Sequence, residues 1–471
     1  MIIFVVVKEN IRYYAAALAL LLLTGCTDFF GNDDDQERRL TNTALYEVFD
    51  MERVADIRVE TSTDEWNRLL DAFDQNCFTE EYIECDIKAT FGSKTYSAPR
   101  SGLRLRGNTS RRRPESSSGK RHNGHQTDWN HAHFQINVAE YIDEQSLGGV
   151  EKIALKWFHE DPTYVREIYG YDLYRRFGVW TAVNSAYCRL TLRVREDSSD
   201  AYYGIYGMYE TIDKNYLRAR AKLFGDSGGQ LWKCYCDASL ANPSYSLMQL
   251  ENTDGSSSHP NYELKTNEEE FENARKQLGD FIINVTKKEG TAFDEWIASV
   301  ADIDLLLRTL AVTTTIGHWD DYWGNGNNYY IYFNSQGRFF MIPYDLDNTL
   351  GTCQYGFPDG ATGDMLSWGN SSRPLFRKIL KNSLWRQQYV DYLYELADLR
   401  NDYFAYVRSS ARIAKWHNMI EKYVPNDTGE DCTIYDHPAS WGSRPDYRVY
   451  TGDEKTNFFK VRAAHLPLRN L

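Results

Sequence analysis

Asp345 and Asp347 stand two residues apart at the end of an apolar run, Phe339-Phe340-Met341-Ile342-Pro343-Tyr344, and are followed by Asn348 and Thr349. While a chain is extended, residues i and i+2 face the same side, so the two carboxylates can share one task. Three readings fit these letters. In a phosphoester hydrolase the first Asp attacks phosphorus and the second works as acid and base. In a phosphoryl-transfer enzyme an Asp at the end of a hairpin holds Mg²⁺ on the phosphates of ATP. In the plainest case the string is a solvated turn.

The residues upstream separate these readings. The stretch Asp302-Ile303-Asp304 to Gly317 has helical spacing, and the loop from His318 to Asn327 carries Asp320, Asp321 and several asparagines. Asn328 to Asn334 then reads as a strand, Ser335-Gln336-Gly337 as a turn, and Arg338 to Asp345 as the return strand. A hairpin brings its two distant loop ends side by side, so Asp320 is expected near Asp345. Phosphoryl transfer needs this set of groups: a carboxylate for the acceptor hydroxyl, and hard oxygen ligands for Mg²⁺. The His-Arg-Asp signature of ordinary protein kinases is absent. The hydrolase reading explains only the Asp345–Thr349 string and leaves Asp320 without a task. The residues after Gly351 read as mostly helical, which does not suit the doubly wound domain that usually follows such a strand. The reading of Asp345 as a metal ligand is therefore preferred.

The rest of the chain supplies the scaffold. Ala55–Glu60 reads as a strand, with a helix after it in which Asp64 is a first-turn acid or cap. Further strands are expected at "YIECDIKATFGSKTYSAP", "SGLRLRG", "AHFQINV" and "VEKIALKWF". Between the second and third lies a polar, basic loop. Its His122, His125 and the following His131 and His133 have irregular spacing and read as a solvated stretch rather than a metal site. "DPTYVREIYGYDLYRRFG" reads as a helix with Asp161 as N-cap, Pro162 at its first position and Gly178 as its stop. Two more strands, "AYCRLTLRV" and "AYYGIYGMYETID", precede a loop-rich stretch from about Tyr235 to Glu263. Beyond it helices prevail, apart from the one hairpin. The expected fold class is α+β with two lobes: a β-rich N-lobe at 49–215 and a mainly helical C-lobe at 216–471.

Composition narrows the function classes. With 53 Lys+Arg against 67 Asp+Glu the formal net charge is −14, which argues against nucleic acid as a partner. Lys8 and Arg12 precede the apolar Ala15–Leu23, too short to span a bilayer and of signal-peptide length. It ends in Leu23-Thr24-Gly25-Cys26, similar to a bacterial lipobox. Residues 1–26 are thus read as a lipoprotein signal with lipidation at Cys26, and 27–48 as an acidic tether. The acidic run resembles surface-export signals of Bacteroidetes lipoproteins, so an extracytoplasmic, lipid-anchored location at the outer membrane or cell surface is expected. Of the seven other cysteines, Cys77, Cys85 and one of Cys234 or Cys236 are candidate disulfide partners without an assigned pairing, and an odd number leaves at least one unpaired.

Five motifs in order carry a resemblance: Arg106-Gly107-Asn108-Thr109-Ser110; Asp161 with Arg166; Glu210-Thr211-Ile212-Asp213-Lys214; Trp319-Asp320 before Asn328-Tyr329-Tyr330; and Pro343-Tyr344-Asp345-Leu346-Asp347. Together they resemble the CotH kinase family over roughly residues 50 to 465. The resemblance implies an atypical protein-kinase-like fold with ATP and Mg as cofactors and phosphoryl transfer to Ser/Thr of a protein substrate. It implies Asp320 as the catalytic Asp, with Asp321 as its rival for that place. Asn328 and Asp345 are implied as metal ligands, with Asp347 as a second acidic ligand or a group behind them. On the nucleotide side the candidates are Lys156, near a helix bearing Arg166 and Glu167, with Arg106 and Asn108 for phosphate and Glu210 near the lobe hinge. One departure stands out. Where relatives carry Lys-Lys-x-Tyr/Phe-x-Ile, this chain has His131-Ala132-His133-Phe134-Gln135-Ile136. Arg111 to Arg113 are candidate replacements. The alternative is a weak or inactive kinase-like surface lipoprotein that binds a glycan or a protein.

Overall fold

The computed structural model describes residues 43–124, 128–251, 258–437 and 447–468. Cys26, the signal segment, most of the tether and His125 lie outside the described residues. In chain order the described strands are β1 (Val54–Thr61), β2 (Ile83–Phe91), β3 (Lys94–Leu105), β4 (Phe134–Asn137), β5 (Lys152–Lys156), β6 (Ser185–Val194), β7 (Ala201–Glu210), β8 (Gln230–Cys234), β9 (Met248–Leu250), β10 (Tyr262–Leu264), β11 (Tyr329–Phe333) and β12 (Phe339–Pro343). The described helices are α1 (Thr43–Val48), α2 (Thr63–Gln75), α3 (Arg166–Arg176), α4 (Lys214–Ala219), α5 (Ala221–Phe224), α6 (Phe271–Lys287), α7 (Gly290–Val300), α8 (Ile303–Thr315), α9 (Pro374–Ile379), α10 (Ser383–Ala397), α11 (Tyr406–Ile420) and α12 (Phe458–Ala464).

The first seven strands close into a barrel in the order β1-β2-β3-β4-β5-β7-β6. Every pair is antiparallel except the closing one, β1 on β6. Residues along β1 alternate half-buried and buried, as a strand with one face on a core must. The inward side chains, among them Ile57, Ile87, Leu103, Ile136, Leu155 and Met208, form one apolar core. Closing the sheet leaves no long exposed edge. Ser62 turns β1 into α2, its hydroxyl accepting the Glu65 N–H at 3.2 Å.

A second core gathers α3, the later helices and a second sheet. That sheet has five strands in the order β12-β11-β8-β10-β9. The expected hairpin is therefore only its edge. β8 was hidden because it is a short strand within otherwise polar sequence, and the pairing that makes it a strand comes from β11, where Lys233 faces Tyr330. The mixed α and β composition agrees with the sequence reading. The doubly wound parallel sheet that a hydrolase of the first type requires is not the architecture of the described residues.

Two local expectations need correction. The helix after Asp161 starts at Arg166, not at Pro162, because Tyr164 sits at φ +59°, a left-handed conformation that no α-helix accommodates. Asp161 still serves the helix start: its carboxylate accepts the N–H of Val165 at 3.1 Å and of Arg166 at 2.9 Å. The described histidines of this stretch are not solvated. His122, His131 and His133 are all buried. His122 lies between Glu115 at 3.1 Å and Asp197 at 2.7 Å, and His131 stacks on Trp157.

Candidate functional site

A cavity of about 520 Å³ is lined from both cores: by β3 to β5 and β7 of the barrel, by α3, and by β8, β11 and the loops around β12. Lys156 is the last residue of β5, and Glu167 is the second residue of α3. The Lys156 Nζ lies 2.7 Å from Glu167 Oε2 and 2.6 Å from Asp345 Oδ1. Two consecutive elements and a residue 189 positions further along the chain thus meet on one ammonium. Asp345 turns off the end of β12 at φ +53°, and its N–H donates to the Tyr171 hydroxyl of α3 at 2.9 Å. The helix grips Asp345 by its backbone and, through Lys156, by its side chain.

The charges of this group do not balance. Burial opposes ionisation of Asp345, but the Lys156 ammonium and the Arg106 guanidinium outweigh it and hold the carboxyl below its usual range. Burial raises Glu167 in spite of Lys156. Asp347 is pushed well above the carboxylate range by burial and then by the charge of Asp345. It has no hydrogen-bond or ion-pair partner among the described residues.

Asp320 faces the same cavity. Its Oδ1 accepts from the amides of Asn325 at 2.7 Å and Asn327 at 3.3 Å, and its Oδ2 from Asn328 at 2.8 Å and Asn348 at 3.3 Å. Burial raises its pKa to about 6, while the amides of Asn325, Asn327 and Asn348 pull it down. Asp321 does not line the cavity; its Oδ1 accepts the Gly324 N–H at 2.6 Å and ties the loop together. Burial lifts its pKa to about 7. Gly324 is required there, since a Cβ would lie 1.8 Å from the Trp319 carbonyl oxygen.

The other sequence candidates divide. Arg106, Asn108, Lys156, Glu210, Asn328, Asp345 and Asp347 all line the cavity with Asp320. Arg106 follows β3 and donates to the Tyr344 hydroxyl at 2.8 Å; Asn108, just beyond it, meets His259 at 3.2 Å. Glu210 is committed elsewhere: Arg220 donates to its two oxygens at 2.7 Å each, and Asn184 to one at 2.8 Å. Arg166 is not brought to the cavity. It is 1% exposed and paired with Asp161 beneath α3. The helix pitch is the reason: neighbouring positions point about 100° apart, so Glu167 reaches the cavity and Arg166 cannot. Arg111, Arg112 and Arg113 are also occupied, by Glu80, Glu430 and Asp74. The positions of the departing lysines, 131 and 132, do not line the cavity, whereas His133 and Gln135 do.

Sequence reasoning left Glu167 without a role and overlooked Lys233. For Glu167 a signal was there: Ile153-Ala154-Leu155-Lys156 has the form of the Val-Ala-Ile-Lys strand whose lysine pairs with a helix glutamate in kinases. Lys233 has no such local signal.

Residues 103–447, most of the chain, match the family described as CotH kinase protein. The chain belongs to the CotH kinase protein family. No curated protein matches it. The CotH match contains every cavity residue from Arg106 to Asn348, so the geometry above lies within the part of the chain that defines the family.

Proposed function

We propose that this CotH family member transfers a phosphoryl group from ATP, with Mg²⁺, to a Ser or Thr hydroxyl of a protein outside the cytoplasm. The observation that carries the proposal is the convergence of Lys156, Glu167 and Asp345 in one cavity with Asp320. A lysine on a strand, a glutamate on the next helix and an aspartate after a hairpin are the set that phosphoryl transfer from ATP calls for. In this reading the barrel and the helical part act as the two lobes of an atypical kinase, dividing near residue 215. The lipid on Cys26 tethers them.

The donor set fits Mg²⁺. Among the described residues no three His, Cys, Asp or Glu side chains form a metal cluster of their own. Mg²⁺ does not need one, because it usually takes one or two carboxylates and completes its shell with phosphate and water. Asp345 and Asp347 would supply the carboxylates. Asn348 adds an amide oxygen that is buried without a partner, and Asn328 stands beside them. Held by these residues, the ion would supply positive charge against the phosphates.

The chain's own residues have separate tasks. Asp320, held from both sides by asparagine amides, is oriented to accept the proton of the acceptor hydroxyl. Lys156 is oriented by Glu167 and is within reach of the nucleotide. Ala154, Val183 and Ile212 are apolar residues of the lining suited to a base. The test is Mg-dependent ATP binding and transfer of label from γ-³²P-ATP for the wild type, Asp320→Asn and Asp345→Asn. Asp345→Asn is expected to lose metal-dependent nucleotide binding, and Asp320→Asn to bind and not transfer. Equal loss of binding in both would contradict this division, and a wild type blind to Mg-ATP would leave a glycan- or protein-binding role.

A further inference from the structure

The cavity holds several cations, and most are already neutralised. Lys152 pairs with Asp213 at 3.4 Å, Lys156 with Glu167 and Asp345, Arg104 with Glu80 at 3.2 Å, and Lys265 with Glu263 at 3.1 Å and with Glu251. Two lining cations have no carboxylate within ion-pair distance among the described residues: Arg106 and Lys233. They flank one side chain. Arg106 donates to the Tyr344 hydroxyl at 2.8 Å, and the Lys233 ammonium lies 5.5 Å from the centre of the Tyr344 ring and 4.5 Å from that of Tyr235.

The tertiary pairing explains why Lys233 is left over. On β8 it stands opposite Glu263 of β10 on one side and Tyr330 of β11 on the other, and cross-strand neighbours share a face. The natural partner is thus Glu263. That carboxylate is already taken by Lys265 at 3.1 Å and by His259 at 3.4 Å. Asp345, the other acid on which the Lys233 charge acts, is taken by Lys156. A half-buried ammonium surrounded by aromatic rings gains from those rings, but it remains a charge without a counter-charge in a place of reduced dielectric, where an arriving anion is held strongly.

We infer that Lys233 and Arg106 form a two-cation site for the phosphates of the bound nucleotide, with Lys233 acting from the second sheet opposite the barrel's Lys156. Lys156 spends its charge on two carboxylates and orients the site; Lys233 and Arg106 meet the ligand's negative charge. The inference rests on the phosphoryl-transfer reading for the identity of the ligand, and not for the existence of an anion site.

The experiment measures binding of Mg-ATP, adenosine and inorganic pyrophosphate to the full chain, by calorimetry and thermal shift, for the wild type, Lys233→Met and Lys233→Arg. Lys233→Met is expected to weaken Mg-ATP and pyrophosphate about 10–100-fold, the usual cost of a lost charged hydrogen bond. It should leave adenosine unchanged, and Lys233→Arg should recover most of the affinity. A purely structural role would weaken adenosine as well, and that result overturns the inference; so does wild-type affinity in Lys233→Met. If the wild type binds pyrophosphate in a Lys233-dependent way and ignores Mg-ATP, the anion site stands and the phosphoryl-transfer reading falls. If it binds neither, both fall. Should Lys233→Met not fold, Lys233→Gln replaces it.

Discussion

Two buried charge clusters sit in this molecule and behave in opposite ways. In the flank of the barrel, His122 is wedged between Glu115 and Asp197, the Trp66 indole N–H donates to Glu115 at 2.6 Å, and Asn67 exchanges hydrogen bonds with the His122 backbone. Both ring nitrogens face carboxylates, which favours the doubly protonated ring and raises its pKa against the effect of burial, and the polar groups satisfy one another. In the cavity, Asp345, Glu167 and Asp347 crowd about the single ammonium of Lys156, with Asp347 unpartnered. Burial is common to both clusters. What separates them is charge balance and access. The first cluster is closed and holds the long loop before β4 in place. The second is open to the cavity and leaves Asp347 without a partner beside the Lys156 pairs, which is the condition for taking up a cation with its anionic ligand.

The largest effect expected from this comparison is in the open cluster. Asp320→Asn should lower phosphoryl transfer by about 10²–10⁴-fold, the range for a lost general base, with the melting temperature and Mg-ATP affinity nearly unchanged. A substantial loss of stability would instead make Asp320 a structural acid.

Glu210→Gln probes a third ionic pair, which lines the cavity and is nonetheless balanced. Removing that carboxylate strands Arg220, whose guanidinium is buried. The expected cost is about 3–5 kcal/mol in urea unfolding, as for other broken buried pairs. A stable Glu210→Gln that no longer binds nucleotide would move Glu210 into the functional set.

Asp347→Asn should do the reverse. It removes a buried acid whose ionised form is opposed by burial and by the charge of Asp345, so stability should hold or rise, while Mg-dependent nucleotide affinity falls about 10–100-fold, as for groups supporting a metal site. Lower stability in this variant would erase the contrast between the clusters.

The smallest effect concerns pH. Burial lowers the pKa of His122, but hydrogen bonds to Glu115 and Asp197 outweigh it, and the folded value lies above the usual histidine value. Its stabilisation is therefore complete below the unfolded pKa of about 6.5 and is lost as pH rises through the folded one. Unfolding free energies of the wild type minus those of His122→Gln, measured across that window, should fall with rising pH. A flat difference would mean that His122 is neutral in the folded protein.

The amino-acid sequence by itself settled what depends on neighbours in the chain. The alternation of β1, the hairpin around Ser335-Gln336-Gly337, the stop at Gly178 and the order of Asp320, Asn328, Asp345 and Asp347 all follow from local sterics and periodicity. Which loop ends meet followed too, because a tight hairpin forces it. Other features needed the folded chain. β8, β9 and β10 are strands only because partners distant in sequence pair with them. Arg166 and Glu167 are adjacent letters, and only the start of α3 after the left-handed Tyr164 turns one beneath the helix and the other into the cavity. His122, His131 and His133 have no regular spacing, so nothing local marks them as buried; the partners Asp197 and Trp157 are contributed by the β6–β7 turn and the end of β5. Lys233 is the clearest case. Its type and spacing say nothing, and it stands out only once every nearby carboxylate is found committed to another cation, an accounting that exists only in three dimensions.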